Sequence, residues 1–227
     1  MNVELVCQPG NTAAKITLAK GQICTAEAGA MIAMSGSMGV TTTTHKKDSG
    51  SLLKAAKRMI GGESLFLNHF EPLADMGELW LGTDLMGDMK VMSLNNESLI
   101  VQSGSFVACD HDVEVDLGWQ GFKSLLSGEG VLWLNLKGTG EVIVSSFGAI
   151  YPVKVDGEQI VDSGHVVAFE ESLDFTITKA GKSWFGSIFG GEGLVCKFSG
   201  YGTVWCQSHN PHGFGKSLSP RLRPRKG

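Results

Sequence analysis

Three glutamates share one local phrase: Gly62-Glu63-Ser64, Gly128-Glu129-Gly130 and Gly191-Glu192-Gly193, each leading into an apolar run. Brought together, three carboxylates would offer hard oxygen ligands to a cation, or share protons at raised pKa values. The alternative is local. Each Glu then accepts backbone N–H groups at its turn or pairs with a nearby Lys or Arg. The local reading is the expected one, because a shared position in a fold is not chemistry. Glu63, Glu129 and Glu192 are therefore binding candidates only. No catalytic residue, metal-ligand set or cofactor is assigned.

The other reactive side chains point the same way. The histidines are His45, His69, His111, His165, His209 and His212, and none sits in an H-x-x-x-H or H-E-x-x-H pattern that would build a local zinc site. Asp110-His111-Asp112 follows an apolar run, where a solvated turn is expected. His209 and His212 flank Pro211, which reads as a loop. Cys109 lies two residues from His111, a spacing that does not by itself make a thiolate pair. The chain has no G-x-S-x-G elbow, P-loop or dinucleotide fingerprint. The five cysteines, Cys7, Cys24, Cys109, Cys196 and Cys206, are odd in number, show no C-x-x-C spacing and lie in apolar runs. They read as reduced core thiols.

The elements that would position these groups recur. Gln22 to Ala33, Ser98 to Ala108 and Glu158 to Ala168 each hold an apolar strand, a turn ending in Gly, one variable residue, two apolar residues and Ala. Gly29, Gly104 and Gly164 are the structural turn positions, expected to supply positive φ or a close backbone approach. The Ala four residues later, Ala33, Ala108 or Ala168, marks a site where a larger side chain would overpack. A β-rich run follows in each case: Gly39 to Thr44, Val113 to Leu117, Leu173 to Thr178. Then come short amphipathic pieces, Leu52 to Ile60, Gly121 to Leu126 and Ser183 to Phe189, that suggest one or two helical turns. The Gly-Glu phrase and two further strands close each unit. Gly138-Thr139-Gly140 and Gly200-Tyr201-Gly202 read as hairpin joints, replaced in the first unit by a longer loop from Glu71 to Met76.

These segments, GAMIAM, QSGSFVA and DSGHVVAFE, with the GES and GEG phrases and the closing Trp205-Cys206-Gln207-Ser208-His209-Asn210-Pro211, resemble the mitochondrial-biogenesis family of TRAP-like proteins, first described as a domain of unknown function. The resemblance spans about residues 1–213 and looks like that of a bacterial member. It implies a β-rich fold similar to the tryptophan RNA-binding attenuation protein, built from tandem copies. It implies no reaction; eukaryotic relatives are linked to mitochondrial inner-membrane organisation. The attenuation protein binds RNA through repeated basic residues, and these three units repeat none, since Lys46-Lys47 occurs once. Nucleic acid is therefore not an expected partner.

The 227 residues are 42% hydrophobic and 19% charged, enough for a sizeable core, and 31 Gly against 6 Pro fits many tight turns. The formal charge of -4 is uneven. From Asn210 onward there are five basic residues and no acid, leaving 14 basic against 23 acidic residues, or -9, in the body. An acidic body argues against wrapping a duplex, while a basic tail can touch anionic lipid. The N-terminus has no signal-peptide pattern and no run is long enough to cross a bilayer, so a cytoplasmic protein is expected.

The fold expected is all-β: three tandem TRAP-like sandwich or barrel repeats, about 1–85, 86–148 and 149–213, in a pseudo-threefold arrangement with short helices between strands, followed by a basic flexible tail at 214–227. The function expected is that of a non-enzymatic binding or scaffold protein that self-associates as a homo-oligomer and has a protein partner. The alternatives are a peripheral membrane organiser using the tail and apolar helices, and a cation-binding or hydrolytic site at the three Glu residues.

Overall fold

The computed structural model describes residues 1–44, 66–117, 132–179 and 194–222. Alternating burial marks several of its strands, as in β2 (Ala13–Ala19), where Ala14, Ile16 and Leu18 are buried and the residues between them are not. This period of two is what an antiparallel sheet with one face on a core demands. The remaining strands are β1 (Asn2–Val6), β3 (Cys24–Glu27), β4 (Met31–Met34), β5 (Met38–Thr44), β6 (Phe66–Pro72), β7 (Met76–Leu81), β8 (Met89–Gln102), β9 (Phe106–Asp110), β10 (Val113–Leu117), β11 (Trp133–Ser145), β12 (Ile150–Asp162), β13 (Val166–Glu170), β14 (Asp174–Lys179) and β15 (Leu194–Gln207). They form a four-stranded sheet, β1-β2-β7-β4, and an eleven-stranded sheet along β12-β15-β13-β8-β11-β9-β3-β6-β5, with β10 on β11 and β14 on β15.

The order of pairing is the same in three parts of the chain. In residues 89–145 the long strands β8 and β11 run antiparallel from Gln102 opposite Trp133 to Met89 opposite Ser145. The short strands β9 and β10 both add to β11. In residues 150–207, β12 and β15 form the long pair, and β13 and β14 both add to β15. In residues 13–81 each long strand is interrupted: β2 pairs β7 and β3 pairs β6, with β4 on β7 and β5 on β6.

Irregularities coincide as well. The short strand after the turn slips register between Met31 and Ala33 in β4, across Val107 in β9, and between Val166 and Ala168 in β13. A bulge of this kind bends a strand and raises its twist. One polar side chain just past each bulge holds the neighbouring long strand. Ser35 Oγ accepts the Glu78 N–H at 2.9 Å, Asp110 Oδ2 accepts the Glu141 N–H at 2.8 Å, and Glu170 Oε2 accepts the Thr203 N–H at 3.1 Å.

Two expectations are corrected. Gly138-Thr139-Gly140 and Gly200-Tyr201-Gly202 are not hairpin joints, for β11 and β15 run through them as single strands. The glycines are there for close approach: a Cβ on Gly140 would lie 2.7 Å from Asp110 Cβ, and one on Gly202 would lie 2.8 Å from Glu170 Oε2. The chain at Pro211 is not a loop but begins helix α1 (Pro211–Leu218), followed by a 3-10 turn at Ser219–Arg221. Asn210 caps it by accepting the Gly213 N–H at 3.0 Å, and Pro211 occupies the first turn, where its missing N–H costs nothing. The amphipathic pieces at 52–60, 121–126 and 183–189 lie outside the described residues.

Three clusters of buried side chains fill the interior. One centres on Ile16, Leu18, Leu79 and Leu81, one on Leu99, Leu134 and Leu136, and one on Phe169, Phe198 and Val155. They interlock: the first includes Val107 and Ile143 of the middle segment, and the third includes Ile100 and Trp133. Phe169 packs edge-on against Trp133, Phe175 and Phe198 at centroid distances of 5.4, 4.5 and 5.1 Å, geometry that adds to the burial of apolar area. Segments of this chain therefore cannot be separated without cutting through a core.

Candidate functional site

Glu63, Glu129 and Glu192 all lie outside the described residues. Among the described residues no group of His, Cys, Asp and Glu is arranged to hold a metal ion. His111 and Asp112 occupy the exposed turn between β9 and β10, as their setting suggested, while Asp110 is half-buried and committed to the Glu141 amide.

The cysteines divide. Cys24, Cys109, Cys196 and Cys206 are buried and free, but Cys7 is exposed, so the expectation of a core position fails for it. Burial pushes the Cys24 and Cys196 thiols up to about 12 and that of Cys206 to about 11, and it raises Cys109 well above its ordinary value. Nearby acidic groups push three of them in the same direction. The anion is disfavoured by loss of solvation, so these four are packing groups and not nucleophiles.

Gly29, Gly104 and Gly164 occupy corresponding places in the pairing scheme for three separate reasons. Gly29 has φ +100. Gly104 and Gly164 sit in 3-10 turns, Ser103–Ser105 and Ser163–His165. A Cβ at Gly104 would meet nothing within 4 Å, whereas one at Gly164 would lie 2.2 Å from the Asn210 amide nitrogen. Gly29 has a positive φ, Gly164 has a close approach, and Gly104 has neither.

A polar chain crosses three strands of the first segment. His69 on β6 lies between two hydroxyls, Thr25 Oγ1 at 3.0 Å from Nδ1 and Thr43 Oγ1 at 2.7 Å from Nε2. In the neutral ring one nitrogen donates and the other accepts, and a hydroxyl can take either role. Burial, reinforced by the nearby His111, lowers the His69 pKa. Sequence reasoning gave this residue no place, because Thr25, Thr43 and His69 are brought together only by strand register.

The most distinctive surface is β4. Met31, Ile32, Ala33 and Met34 are all exposed, in a strand that ends its sheet. Its counterparts β9 and β13 are buried except at their last residue. Ile32, at the register slip, is 59% exposed, against 1% for Val107 and 0% for Val167. Protein surfaces rarely leave an apolar edge strand open, because its unpaired N–H and C=O groups template association. Near it, Leu73 and Met76 at the turn between β6 and β7 are also exposed. Helix α1 carries no buried residue and leaves Phe214 43% exposed, resting on Phe147 at 5.3 Å.

Comparison with known proteins finds a family and a fold. The model of the mitochondrial biogenesis AIM24 family matches residues 3–209. An uncharacterised protein of Streptococcus pyogenes serotype M6 is 30% identical over 214 residues, covering 92% of this chain and 86% of that one. The crystal structure of a Streptococcus pyogenes protein superposes with a TM-score of 0.79 at 27% identity, covering 97% of this chain and 99% of the other.

Proposed function

This chain belongs to the mitochondrial biogenesis AIM24 family as a bacterial member, and on that premise we propose that it is a non-enzymatic scaffold that self-associates through its β-rich units. The units are three copies of one module, with two like junctions set about a pseudo-threefold axis and the third junction left open among the described residues. The recurrence of pairing order, bulge and amide-accepting side chain supports the copies. The observation that carries self-association is the exposed apolar edge β4, whose counterparts in the other two segments are buried. Free energy favours covering such an edge, through its apolar side chains and through its open backbone groups alike. Light scattering on the purified protein tests it. The expected result is a mass of at least two chains. A mass of one chain that holds across the accessible concentration range would overturn it.

A second reading is favoured by α1, an exposed helix with Phe214 and Leu218 one turn apart on one side and Lys216 and Arg221 at its end. A short apolar stripe beside basic residues suits the surface of an anionic membrane. Among the described residues no helix is long and apolar enough to cross a membrane, so this contact would be peripheral for the part of the chain described.

A further inference from the structure

The strand pairings between successive segments follow one rule. At the first junction β3 pairs β9, with Cys24 opposite Asp110, Thr25 opposite Cys109 and Ala26 opposite Ala108. At the second β8 pairs β13, with Leu99 opposite Glu170, Ile100 opposite Phe169 and Val101 opposite Ala168. Counted from Gly29, Gly104 and Gly164, both junctions place the residues five, four and three before one Gly against those six, five and four after the next. The offset is not an artefact of choosing those glycines, since the bulge three residues after each falls at Ile32, Val107 and Val167 in the pairings to β7, β11 and β15.

The rule leaves two strands without their second neighbour. β12 should receive a short strand along Gln159, Ile160 and Val161, and β4 should lie along a long strand through Ala33, Met34 and Ser35. Among the described residues β12 pairs only β15 and β4 pairs only β7. Each ends its sheet. These two open edges are complements of each other by the same offset.

We propose that a second copy of this chain supplies the missing neighbour: β12 of one copy pairs antiparallel with β4 of the next, with Gln159 opposite Ser35, Ile160 opposite Met34 and Val161 opposite Ala33. The proposal rests on the self-association argued above and gives it a location and a register. Side chains fit the role. Ile160 and Val161 stand where Ile100 and Val101 stand at the second junction, and Met34 stands where Phe169 does. Ala33 supplies an independent sign. Ala108 and Ala168, its equivalents, are fully buried between paired strands. Ala33 keeps the same small side chain although it is exposed in a single chain. A small side chain at this position suits a second strand packed alongside, as at the other two junctions. The contact is head-to-tail, so copies that each contribute both edges close into a ring where the rotation between them allows and otherwise extend as a chain.

Cysteine cross-linking tests the register directly. Met34→Cys and Ile160→Cys are introduced together in a Cys7→Ser background, which removes the exposed native thiol and avoids Val161, whose direct partner on β15 is the native Cys196. Directly opposed residues in an antiparallel pair have Cα atoms about 4.5–5.5 Å apart, within disulfide range. Mild oxidation should give chains joined to one another on a non-reducing gel, while either single Cys variant should not. Met34→Lys, placed on an exposed position at the centre of the pairing, should reduce the scattering mass to one chain with an unchanged circular-dichroism spectrum. A disulfide formed within one chain would overturn the proposal in favour of closure of the chain on itself. A mass of two or more chains with no interchain disulfide would overturn this pairing while leaving self-association standing. A mass of one chain for the unsubstituted protein would overturn both.

Discussion

His69 makes both of its ring contacts without a charge. Thr25 and Thr43 satisfy its two nitrogens, and burial beside His111 opposes adding a proton. Its pKa in the folded protein is therefore below the ordinary 6.5. The unfolded chain takes up the proton first as pH falls, so stability drops from about pH 6.5 downward, through the folded pKa, and is flat above it as far as this residue is concerned. The expected observation is that denaturant midpoints measured between pH 8 and pH 5 fall less in His69→Gln than in the unsubstituted protein. An NMR titration of His69 should give a value under 6.5; a value at or above it would contradict the burial argument. The cysteines belong to the same scale. Their apolar settings in the sequence marked Cys24, Cys109, Cys196 and Cys206 as core groups, and packing made them so. Cys7 sits in an equally apolar run, Leu5-Val6-Cys7, but at φ +60 just beyond the end of β1, where the chain leaves the sheet and turns the thiol to solvent. Local composition does not contain that departure.

At the scale of elements, the β-rich runs from Gly39, Val113 and Leu173 were legible in the residues and became β5, β10 and β14. β-branched side chains with alternating polarity leave few other conformations open. The glycine joints in the long strands were misread, because Gly-x-Gly fits a tight turn and a close strand crossing equally well. Only the Asp110 and Glu170 side chains pressing on the backbone at Gly140 and Gly202 decide between them. α1 was missed although Asn210-Pro211 is a competent helix start, because a segment rich in Gly, Ser and Pro carries little periodic signal. The three turn glycines give a graded prediction. Gly104→Ala has space and no positive φ, so its denaturant midpoint should hold or rise, by up to about 1 kcal/mol in stability. Gly29→Ala meets no atom but holds φ +100, and should cost about 1–3 kcal/mol. Gly164→Ala should displace Asn210, which caps α1. Its mark is faster amide exchange at Gly213 and Phe214 beyond any change in global stability. Equal effects at all three would mean that the positions are interchangeable, against the geometry described.

At the scale of the whole molecule, the strands were easier to read than their neighbours. GAMIAM, GSFVA and GHVVA follow one pattern, yet only the last two lie between two strands. A period of two says which face of a strand is apolar and nothing about who sits beside it, so the open edge of β4 had no sequence signal. The three Glu phrases illustrate the converse: a pattern can be plain and still lack a described geometry. Charge is the property of the whole that sequence does carry, and it gives the membrane reading a sharp test. The body holds a formal -9 and the last 18 residues five basic groups, so attraction to anionic lipid must come from the tail against repulsion by the rest. Each basic group near such a surface contributes about 1 kcal/mol, over a distance set by salt. Reversing two of them with Lys216→Glu and Arg221→Glu should therefore lower binding to phosphatidylserine vesicles by at least about tenfold. Flotation at low ionic strength should show the unsubstituted protein with the vesicles, the double variant largely in solution, and neither bound once salt shortens the screening length to about 3 Å. Phe214→Ser should weaken binding at low salt without changing its salt dependence, since it removes apolar contact and no charge. Equal binding to zwitterionic vesicles, or none to anionic ones at low salt, would discard the membrane reading and leave the strand edges as the surface through which this chain meets others.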